Sequence, residues 1–252
     1  MKIVIIGGTG LIGSKVVARL REHGHQAVPA SLDTGVNTIT GEGLAQVLTG
    51  ANVVVDVSNS PSFDDAAVMK FFQTSTGNLL AAETKAGVGH HVALSIVNCD
   101  QIPNSGYMRA KAAQEKLISS SKIPYSIVHA TQFFEFFKRI ADEATKGDTV
   151  RIAHVLFQPI AAQDVADAVA AVAEGAPLNG ILEVEGPEQF RFDEFIKEGL
   201  RARHDERKVV ADPHAQYFGT ELTERMLVPS GNARHGQIRF EDWLKQPVPA
   251  RA

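Results

Sequence analysis

A tyrosine and a lysine four positions apart, Tyr107 and Lys111, carry the clearest chemistry in this sequence. On a helix, residues at positions i and i+4 share one face, so the lysine ammonium is expected beside the phenol and should lower its pKa. Ser95 lies twelve positions before Tyr107, where an apolar strand is predicted to end. A serine hydroxyl there could bond a substrate carbonyl oxygen while Tyr107 donates a proton to that oxygen. Ser95, Tyr107 and Lys111 are therefore the predicted catalytic residues, with an ordinary surface tyrosine–lysine pair as the alternative.

A glycine-rich turn at the amino terminus predicts where a cofactor would bind. The β-branched run at residues 3–6 indicates a buried strand, and the apolar spacing over 11–21 indicates a helix directly after the turn. In that context Gly7 permits a sharp turn, Gly10 lets the backbone approach a pyrophosphate, and Gly13 lets the helix pack on the strand. Free amides at the start of the helix would face the phosphates of a dinucleotide. The predicted cofactor contacts in this stretch are Gly7, Thr9, Gly10, Leu11, Ile12 and Gly13.

The end of the second predicted strand bears on which dinucleotide binds. Ala30 and Ser31 stand where NAD-binding folds place an acidic residue for the ribose 2′-hydroxyl, and Asp33 follows two positions after Ser31. The missing carboxylate favours NADP(H) over NAD(H), although no arginine adjoins the site to bind a 2′-phosphate. Ser31 is a predicted cofactor contact. Ser58 and Asn59 are two more, because they follow a buried strand and ligands of open α/β sheets bind beyond the carboxyl ends of strands.

Strands and helices alternate along the first part of the chain. Strands are predicted at residues 3–6, 27–31, 53–57, 91–97 and 125–130, with helices between them. This alternation is typical of an α/β fold with a Rossmann-type, doubly wound parallel sheet. Residues 1–150 are expected to form the dinucleotide-binding core. Residues 151–252 are expected to complete that core and to form a small carboxyl-terminal lobe that binds substrate; helices are also predicted at 133–146 and 220–226.

Composition narrows the class of protein. The 252 residues carry a net charge of −4, which gives no basic field for nucleic acid. Cys99 is the one cysteine, so no internal disulfide can form, and the nine histidines show no ligand spacing that predicts a metal site. No apolar stretch approaches the ~20 residues that span a bilayer. We expect a cytoplasmic protein that binds a small-molecule substrate, without nucleic acid, membrane or metal, and with a homodimer as one oligomeric state.

These motifs resemble those of the short-chain dehydrogenases/reductases, in particular their atypical, NmrA-like NAD(P)-binding branch. The matching pieces span nearly the whole chain: residues 7–13, 76–80, 158–161 and 164–166, together with Ser95 and the Tyr107–Lys111 pair. The resemblance implies that Tyr107 is the general acid/base and that Lys111 also holds the nicotinamide ribose. It implies an NADP(H)-preferring oxidoreductase that reduces a carbonyl or quinone by hydride transfer.

The resemblance also implies where the nicotinamide and the substrate lie, which is just after the strand at 125–130. Thr131 and Gln132 are predicted cofactor contacts there, with Gln132 bonding the carboxamide. Phe133 and Phe134 are predicted to form an apolar substrate wall. In the final lobe, Tyr217 with its neighbour Phe218 is a candidate for substrate contact, since that lobe should cover the edge of the sheet.

Two other functions stay open at this point. Many relatives carry a proton-relay asparagine on the long helix, where this chain has Phe72. Some members of the branch bind the cofactor and act as redox-sensing regulators without turnover, but these commonly lack the tyrosine that is present here as Tyr107. Nucleotide-sugar epimerases and dehydratases use the same serine, tyrosine and lysine but usually have a longer carboxyl-terminal lobe.

Overall fold

The computed structural model describes residues 1–247. The strands are β1 Lys2–Ile6, β2 Gln26–Ala30, β3 Val53–Asp56, β4 His90–Ile96, β5 Tyr125–Ala130, β6 Thr145–Lys146, β7 Thr149–Ile152, β8 Leu156–Phe157, β9 Gly180–Glu185, β10 Phe190–Arg191, β11 Lys208–Ala211, β12 Gln216–Tyr217, β13 Thr220–Glu221 and β14 Arg234–His235. The helices are α1 Leu11–Glu22, α2 Leu44–Leu48, α3 Asp65–Ala86, α4 Gly106–Ser119, α5 Phe137–Glu143, α6 Ala162–Glu174, α7 Phe192–Ala202 and α8 Phe240–Leu244.

The main sheet contains seven strands in the order β14-β9-β5-β4-β3-β1-β2, and all of its neighbouring strands run parallel. The order reverses between β1 and β3, as it does in a doubly wound sheet, so the predicted Rossmann-type fold is confirmed. The second predicted strand, β2, lies at one edge of this sheet. An edge position suits it, because Pro29 within it has no backbone amide to donate to a second neighbour.

The two faces of the sheet are covered by different helices, because side chains alternate along each strand. On one face, Ile3 and Val92 pack with Val16 of α1 and Val165 of α6. On the other face, Val4 and Val54 pack with apolar residues of α2 and α3, and Ala93 packs with Ile118 of α4. The second face matters for the site, because the side chains of Asp56, Ser95 and His129 also point to it.

The carboxyl-terminal third builds a second apolar core beside the sheet. Small sheets form from β11-β7-β6, from β10-β8 and from the β12–β13 hairpin. The core between them and α5, α7 and α8 is aromatic: Phe157 stacks on Phe192, and Phe195 lies tilted against Phe240, both at 4.2 Å between ring centroids. Aromatic rings packed at this spacing bury large apolar areas with few side chains, so a small lobe can be stable.

Two predicted helices are wrong. The segment 133–146 forms a 3-10 turn at Phe134–Phe136, then α5, and then β6, which pairs antiparallel with β7. The segment 220–226 is not helical, because its start is the second strand of the β12–β13 hairpin. That hairpin turns at Phe218 and Gly219, both of which have positive φ. Such a turn requires left-handed backbone, which is incompatible with the start of a helix.

Within the described residues, the structure contains no helix that is both long and apolar enough to cross a bilayer.

Candidate active site

The glycine turn between β1 and α1 has the shape that a dinucleotide phosphate needs. Gly7 has φ of +77°, in the left-handed region that glycine adopts without strain. A Cβ atom at Gly13 would lie 2.1 Å from the carbonyl oxygen of Gly7, so only glycine allows this contact. The helix begins at Leu11 after its N-cap residue Gly10, which has no side chain to cap the first amides. The turn therefore leaves room for a phosphate in front of uncapped amides at the positive end of the helix dipole.

Beside this turn, the structure places a carboxylate that the sequence had not predicted near the ribose. The Thr9 hydroxyl donates to Ser31 Oγ at 3.1 Å and lies 3.5 Å from Asp33 Oδ2. Ser31 is followed by the 3-10 turn Leu32–Thr34, which brings Asp33 back towards the glycine turn. An exposed carboxylate at this place would accept a ribose 2′-hydroxyl and repel a 2′-phosphate. The expected preference for NADP(H) rested on the lack of a carboxylate at this place, and Asp33 supplies one.

The polar residues after β3 are held by two different interactions. Ser58 donates its hydroxyl to Asp56 Oδ1 at 2.6 Å, and its backbone amide donates to the same oxygen. Asn59 is exposed and accepts the hydroxyl of Tyr107 on its Oδ1 at 3.0 Å. Ser58 therefore supports the buried Asp56, whereas Asn59 reaches the predicted general acid.

Tyr107, in the first turn of α4, lies beyond the carboxyl end of β3 with its ring among other aromatic rings. Its ring centroid is 5.3 Å from that of Phe63, 6.1 Å from that of Phe72 and 6.1 Å from that of Phe218. Burial raises the pKa of Tyr107 to about 12, although the hydrogen bond to Asn59 and the charge of Arg139 oppose this. The predicted lowering of the tyrosine pKa is therefore wrong. A phenol with this pKa stays protonated at neutral pH, as a proton donor must.

Lys111 shares the helix with Tyr107, but its ammonium is directed elsewhere. Its Nζ donates to the carbonyl oxygen of Leu94 at 2.9 Å and to Oε1 of Gln114, and lies 4.5 Å from the centroid of the Phe72 ring. Burial lowers the pKa of Lys111, although the carboxylates of Asp56 and Glu115 oppose this. The ammonium therefore lies under the site between two acidic groups. This placement explains why it does not lower the pKa of Tyr107.

Ser95 lies near the end of β4, but its hydroxyl is already bonded. It donates to Oε1 of Glu115, which also accepts from Cys99 Sγ at 3.1 Å and from His129 Nε2 at 3.0 Å. Burial alone would raise the pKa of Glu115, but the bonds from His129, Ser95 and Cys99 hold it below its usual range. A serine has one hydrogen to donate, and here an ionised carboxylate takes it. The predicted donation from Ser95 to a substrate oxygen is therefore not the arrangement in this structure.

The cluster around Glu115 was not predicted, although part of its signal is in the sequence. Tyr107, Lys111 and Glu115 recur every four positions and so share one face of α4. His129 pairs with Ser95 across β4 and β5, a register that a single sequence does not reveal. Cys99, Glu115 and His129 offer ligand atoms within 4.8 Å of one another, and in this structure hydrogen bonds to Glu115 join them. Burial and the nearby Glu115 raise the pKa of the Cys99 thiol, so it is not a nucleophile.

The segment after β5 contains the predicted cofactor contacts Thr131 and Gln132 and the predicted substrate wall, and their surroundings differ. Gln132 is buried, and neither of its amide atoms has a hydrogen-bond partner among residues 1–247; the buried Thr131 hydroxyl has none there either. Buried polar atoms without partners are rare, so these two side chains fit a polar ligand such as a carboxamide. Phe133 is half-buried and stacks on Phe136 at 5.4 Å. The prediction for Phe134 is wrong, because its ring is fully buried in the aromatic core of the carboxyl-terminal lobe, against Phe195 and Phe240.

Tyr217 precedes Phe218, whose ring stacks on that of Tyr107. The Tyr217 ring packs edge-on against Phe218 at 4.7 Å and against Phe192 at 5.7 Å, which ties the β12–β13 hairpin to the lobe core. Burial and the charge of Glu143 raise the pKa of Tyr217. Phe63 and Arg139 were not predicted. The Arg139 guanidinium lies 4.4 Å from the centroid of the Phe63 ring, and neither residue belongs to a recognisable sequence motif.

Comparison with known proteins agrees with the glycine turn and the sheet. Residues 7–175 match the NAD(P)H-binding family. The chain belongs to that family. The match covers the glycine turn, the Tyr107–Lys111 helix and the segment after β5, so the binding of NAD(P)H is the shared property of these residues. The predicted resemblance to the atypical short-chain dehydrogenases/reductases, with their NAD(P)-binding fold, is confirmed by this family match.

Curated relatives match only part of the chain. The photosystem II assembly factor Ycf39 of Synechocystis sp. is 26% identical over 149 residues, which are 54% of this chain and 46% of the relative. Ycf39 of Cyanophora paradoxa is 27% identical over 149 residues, with the same coverage of 54% and 46%. The chain thus spans about half the length of the curated relatives it matches.

Solved structures show the same fold over nearly the whole chain. A short-chain dehydrogenase/reductase superfamily protein from Agrobacterium tumefaciens with bound NAD has a TM-score of 0.74 at 16% identity, covering 97% of this chain and 95% of that one. A dTDP-4-dehydrorhamnose reductase from Clostridium acetobutylicum has a TM-score of 0.70 at 18% identity, covering 97% and 98%. At these identities the likeness is one of fold.

Proposed function

We propose that this protein is an NAD(P)H-dependent oxidoreductase that reduces a small carbonyl or quinone compound, with Tyr107 as the proton donor. The observation that carries the proposal is the position of Tyr107. Its protonated hydroxyl lies beyond the carboxyl end of β3, bonded to the exposed Asn59 at 3.0 Å. Ligands of doubly wound sheets bind at that edge. The phosphate-shaped turn at Gly7 and the unpartnered amide of Gln132 flank the same edge and support it.

The reaction needs a hydride for the carbonyl carbon and a proton for its oxygen. A reduced nicotinamide, when bound, supplies the hydride. Tyr107 gives its hydroxyl proton to the oxygen, so the carbonyl becomes an alcohol and the dinucleotide is oxidised by two electrons. A pKa of about 12 keeps the phenol protonated at neutral pH, so the proton is present when the acceptor binds. To act, the Tyr107 hydroxyl moves from Asn59 to the substrate oxygen.

In this mechanism Ser95 and Lys111 position other groups of the site and do not transfer the proton. Ser95 gives its hydrogen to Glu115, so it presents only lone pairs and would position a neighbouring hydroxyl as an acceptor. The Lys111 ammonium donates to the backbone of β4 at Leu94 and thereby fixes α4 against the sheet. With Phe72 in the place of the relay asparagine, Lys111 also lacks the usual neighbour for passing a proton onward.

For the cofactor we propose NAD(H), in place of the NADP(H) that the sequence favoured. The Asp33 carboxylate beside Thr9 and Ser31 supports this choice, because a 2′-phosphate would bring a second negative charge next to it. The test is the ratio of kcat/KM for NADH over NADPH in the parent and in Asp33→Asn. We expect a preference for NADH that falls about tenfold or more in the variant. A parent that prefers NADPH would contradict the assignment.

The function itself is tested by following cofactor oxidation against a panel of quinones, aldehydes, ketones and imines. Turnover that depends on the acceptor should appear, and Tyr107→Phe should lower kcat by about a hundredfold or more. Cofactor affinity, measured by titration, should change little in that variant, because the lost hydroxyl bonds Asn59 and the substrate. Equal turnover in the variant and the parent would remove Tyr107 from the mechanism.

A second candidate is a protein that binds the dinucleotide and signals to a partner without turnover. The observation that favours it is the Ser95 hydroxyl, which donates to Glu115 rather than remaining free for a substrate. The matched relatives named as photosystem II assembly factors agree with a role other than catalysis. Cofactor binding with no acceptor reduced across the panel would favour this candidate over the reductase.

A further inference from the structure

The rings around Tyr107 come from separate parts of the chain. We name Phe63, Phe72, Tyr107 and Phe218 the aromatic cluster. Phe72 on α3 is fully buried and forms its inner side, while Phe63, in the loop before α3, is 36% exposed. Phe218 reaches the cluster from the β12–β13 hairpin and stacks on Tyr107 with 22° between the ring planes. The cluster therefore has a closed inner side and an outer side that a ligand can reach.

Phe218 has a strained backbone conformation. Its φ is +48° and that of Gly219 is +78°, so the pair forms the two-residue turn of the hairpin with both central residues left-handed. Asparagine, aspartate and glycine are the residues that such turns favour, and a bulky side chain there is strained. Strained residues persist where the surroundings hold them, often at ligand sites. What the phenylalanine adds over asparagine is a ring beside Tyr107.

The hairpin is also fixed so that this ring points at the site. Tyr217, the residue before Phe218, packs its ring between Phe218 and Phe192 of the lobe core. On the strand opposite, Thr220 is buried and pairs with Tyr217. The ring of Phe218 is thus attached to a packed lobe rather than to a free loop.

We propose that Phe218 selects acceptors that carry a planar aromatic or quinoid ring over saturated acceptors with the same reactive group. The inference rests on the proposed reductase function and names its substrate class. The ring of the acceptor packs against Phe218 and Phe63 while its carbonyl oxygen takes the place of Asn59 at the Tyr107 hydroxyl. Packing between aromatic rings gains stability beyond apolar burial, enough for a preference of about tenfold.

Chemically, the selected reaction is the two-electron reduction already described. An aryl aldehyde gains a hydride at carbon and the Tyr107 proton at oxygen and becomes an aryl alcohol. A quinone takes the Tyr107 proton at one carbonyl oxygen and the hydride at a ring carbon, and tautomerisation, which moves a hydrogen from that carbon to the second oxygen, gives the hydroquinone. In both reactions NAD(P)H is the reductant and is oxidised.

The experiment uses pairs of acceptors that differ only in the saturation of the ring. Benzaldehyde is compared with cyclohexanecarboxaldehyde, acetophenone with cyclohexyl methyl ketone, and 1,4-benzoquinone with cyclohexane-1,4-dione. For each pair, kcat/KM is measured in the parent protein and in Phe218→Asn. The parent should prefer the aromatic member by about tenfold or more beyond the ratio of their uncatalysed reactivities, and the variant should prefer it by about threefold or less.

Three matched measurements separate ring recognition from a structural role of Phe218. The melting temperature of Phe218→Asn should equal or exceed that of the parent, because asparagine suits the left-handed turn. Phe218→Tyr keeps the ring and should keep the preference. Phe71→Leu removes a half-buried ring that touches Phe72 but is outside the aromatic cluster, and should keep it too.

The outcomes distinguish this inference from the reductase proposal. If acceptors are reduced but the parent treats both members of each pair equally, or if Phe218→Asn keeps the preference, ring selection by Phe218 is wrong and the reductase stands. If no acceptor is reduced, the reductase proposal fails. Calorimetric titration of the same pairs into NAD⁺-saturated protein then decides ring selection by itself, since equal binding of both members would overturn it.

Discussion

The same two residue types form a buried pair at each end of the main sheet, with different consequences. At the amino ends of the strands, Nδ1 of His91 bonds both carboxylate oxygens of Glu83 at 2.9 and 3.0 Å, and neither side chain is exposed. At the carboxyl ends, Nε2 of His129 bonds Glu115 at 3.0 Å, with 9% and 16% of the side chains exposed. Both pairs join a strand histidine to a helix glutamate on the same face of the sheet.

The difference lies in what else each carboxylate holds. Glu83 bonds His91 alone among the described side chains, so its pair is a closed ionic contact between α3 and β4. Glu115 also accepts from Ser95 and Cys99, and Ser95 is one of the predicted catalytic residues. Ligands of doubly wound sheets bind at the carboxyl ends of the strands. We therefore expect the His91–Glu83 pair to contribute to stability, and the His129–Glu115 pair to orient the Ser95 hydroxyl at the edge where the proposed ligand site lies.

The largest difference should appear in stability when each glutamate becomes glutamine. Glu83→Gln removes the charge that holds His91 in a fully buried place, and should cost roughly 3 kcal/mol of unfolding free energy. Urea unfolding followed by circular dichroism measures this. The double variant Glu83→Leu with His91→Leu is the control and should recover most of the loss, because paired burial of apolar groups replaces the ion pair. A loss below about 1 kcal/mol in Glu83→Gln would show that the pair is not ionic.

At the other end, Glu115→Gln should cost less, about 1 kcal/mol, because an amide oxygen still accepts a hydrogen bond and water can reach the half-buried site. The measurement is the same unfolding curve, run beside Glu83→Gln. Cofactor-dependent turnover should change in Glu115→Gln, since the hydrogen of Ser95 loses its ionised acceptor. It should stay near the parent value in Glu83→Gln under conditions where that variant is folded. Equal stability losses in the two variants would end the distinction between the pairs.

The pH dependence of stability sharpens the comparison further. Burial alone would lower the pKa of His91, but the Glu83 carboxylate holds it above its ordinary value of 6.5. A histidine whose pKa is raised on folding adds stability below its unfolded pKa, and this is lost as the pH rises through the folded pKa. The stability of the parent relative to the double leucine variant should therefore be highest below the ordinary histidine pKa of 6.5, and should fall as the pH rises from there through the raised pKa of His91. The adjacent His90, whose pKa burial lowers to about 4, is neutral throughout this window.

Much of this fold could be predicted from local pattern, because the parallel sheet follows from buried strands that alternate with helices. The glycine turn could also be predicted, since the left-handed backbone at Gly7 and the close contact of Gly13 with Gly7 both arise within the turn itself. The pairing of His129 with Ser95 was not, because strand register is a long-range property. The hairpin at Phe218 could not be predicted either, because its left-handed turn contains a phenylalanine, which is rare in such turns.

The surroundings of the predicted catalytic residues show the same limit. Sequence spacing placed Tyr107 and Lys111 on one face of α4, and they do share it. Spacing could not tell that Leu94 and Gln114 take the hydrogens of the ammonium, or that burial raises rather than lowers the pKa of the phenol. These depend on what other segments pack around the helix. The shared helix face of Tyr107 and Lys111 could be predicted from the sequence, whereas the direction in which the pKa of the phenol shifts could not.

The smallest effect on turnover is expected for Ser95→Ala. This variant tests whether Glu115, the partner of His129, holds the hydrogen of Ser95. If the Ser95 hydrogen belongs to Glu115, alanine removes one of three bonds to that carboxylate and leaves Tyr107 in place. Turnover of the reductase should then fall by less than about tenfold, against about a hundredfold or more for Tyr107→Phe. Values of kcat and KM for both variants, with one acceptor and saturating cofactor, make the comparison. A loss in Ser95→Ala as large as that in Tyr107→Phe would mean that Ser95 leaves Glu115 and donates to the acceptor when it binds.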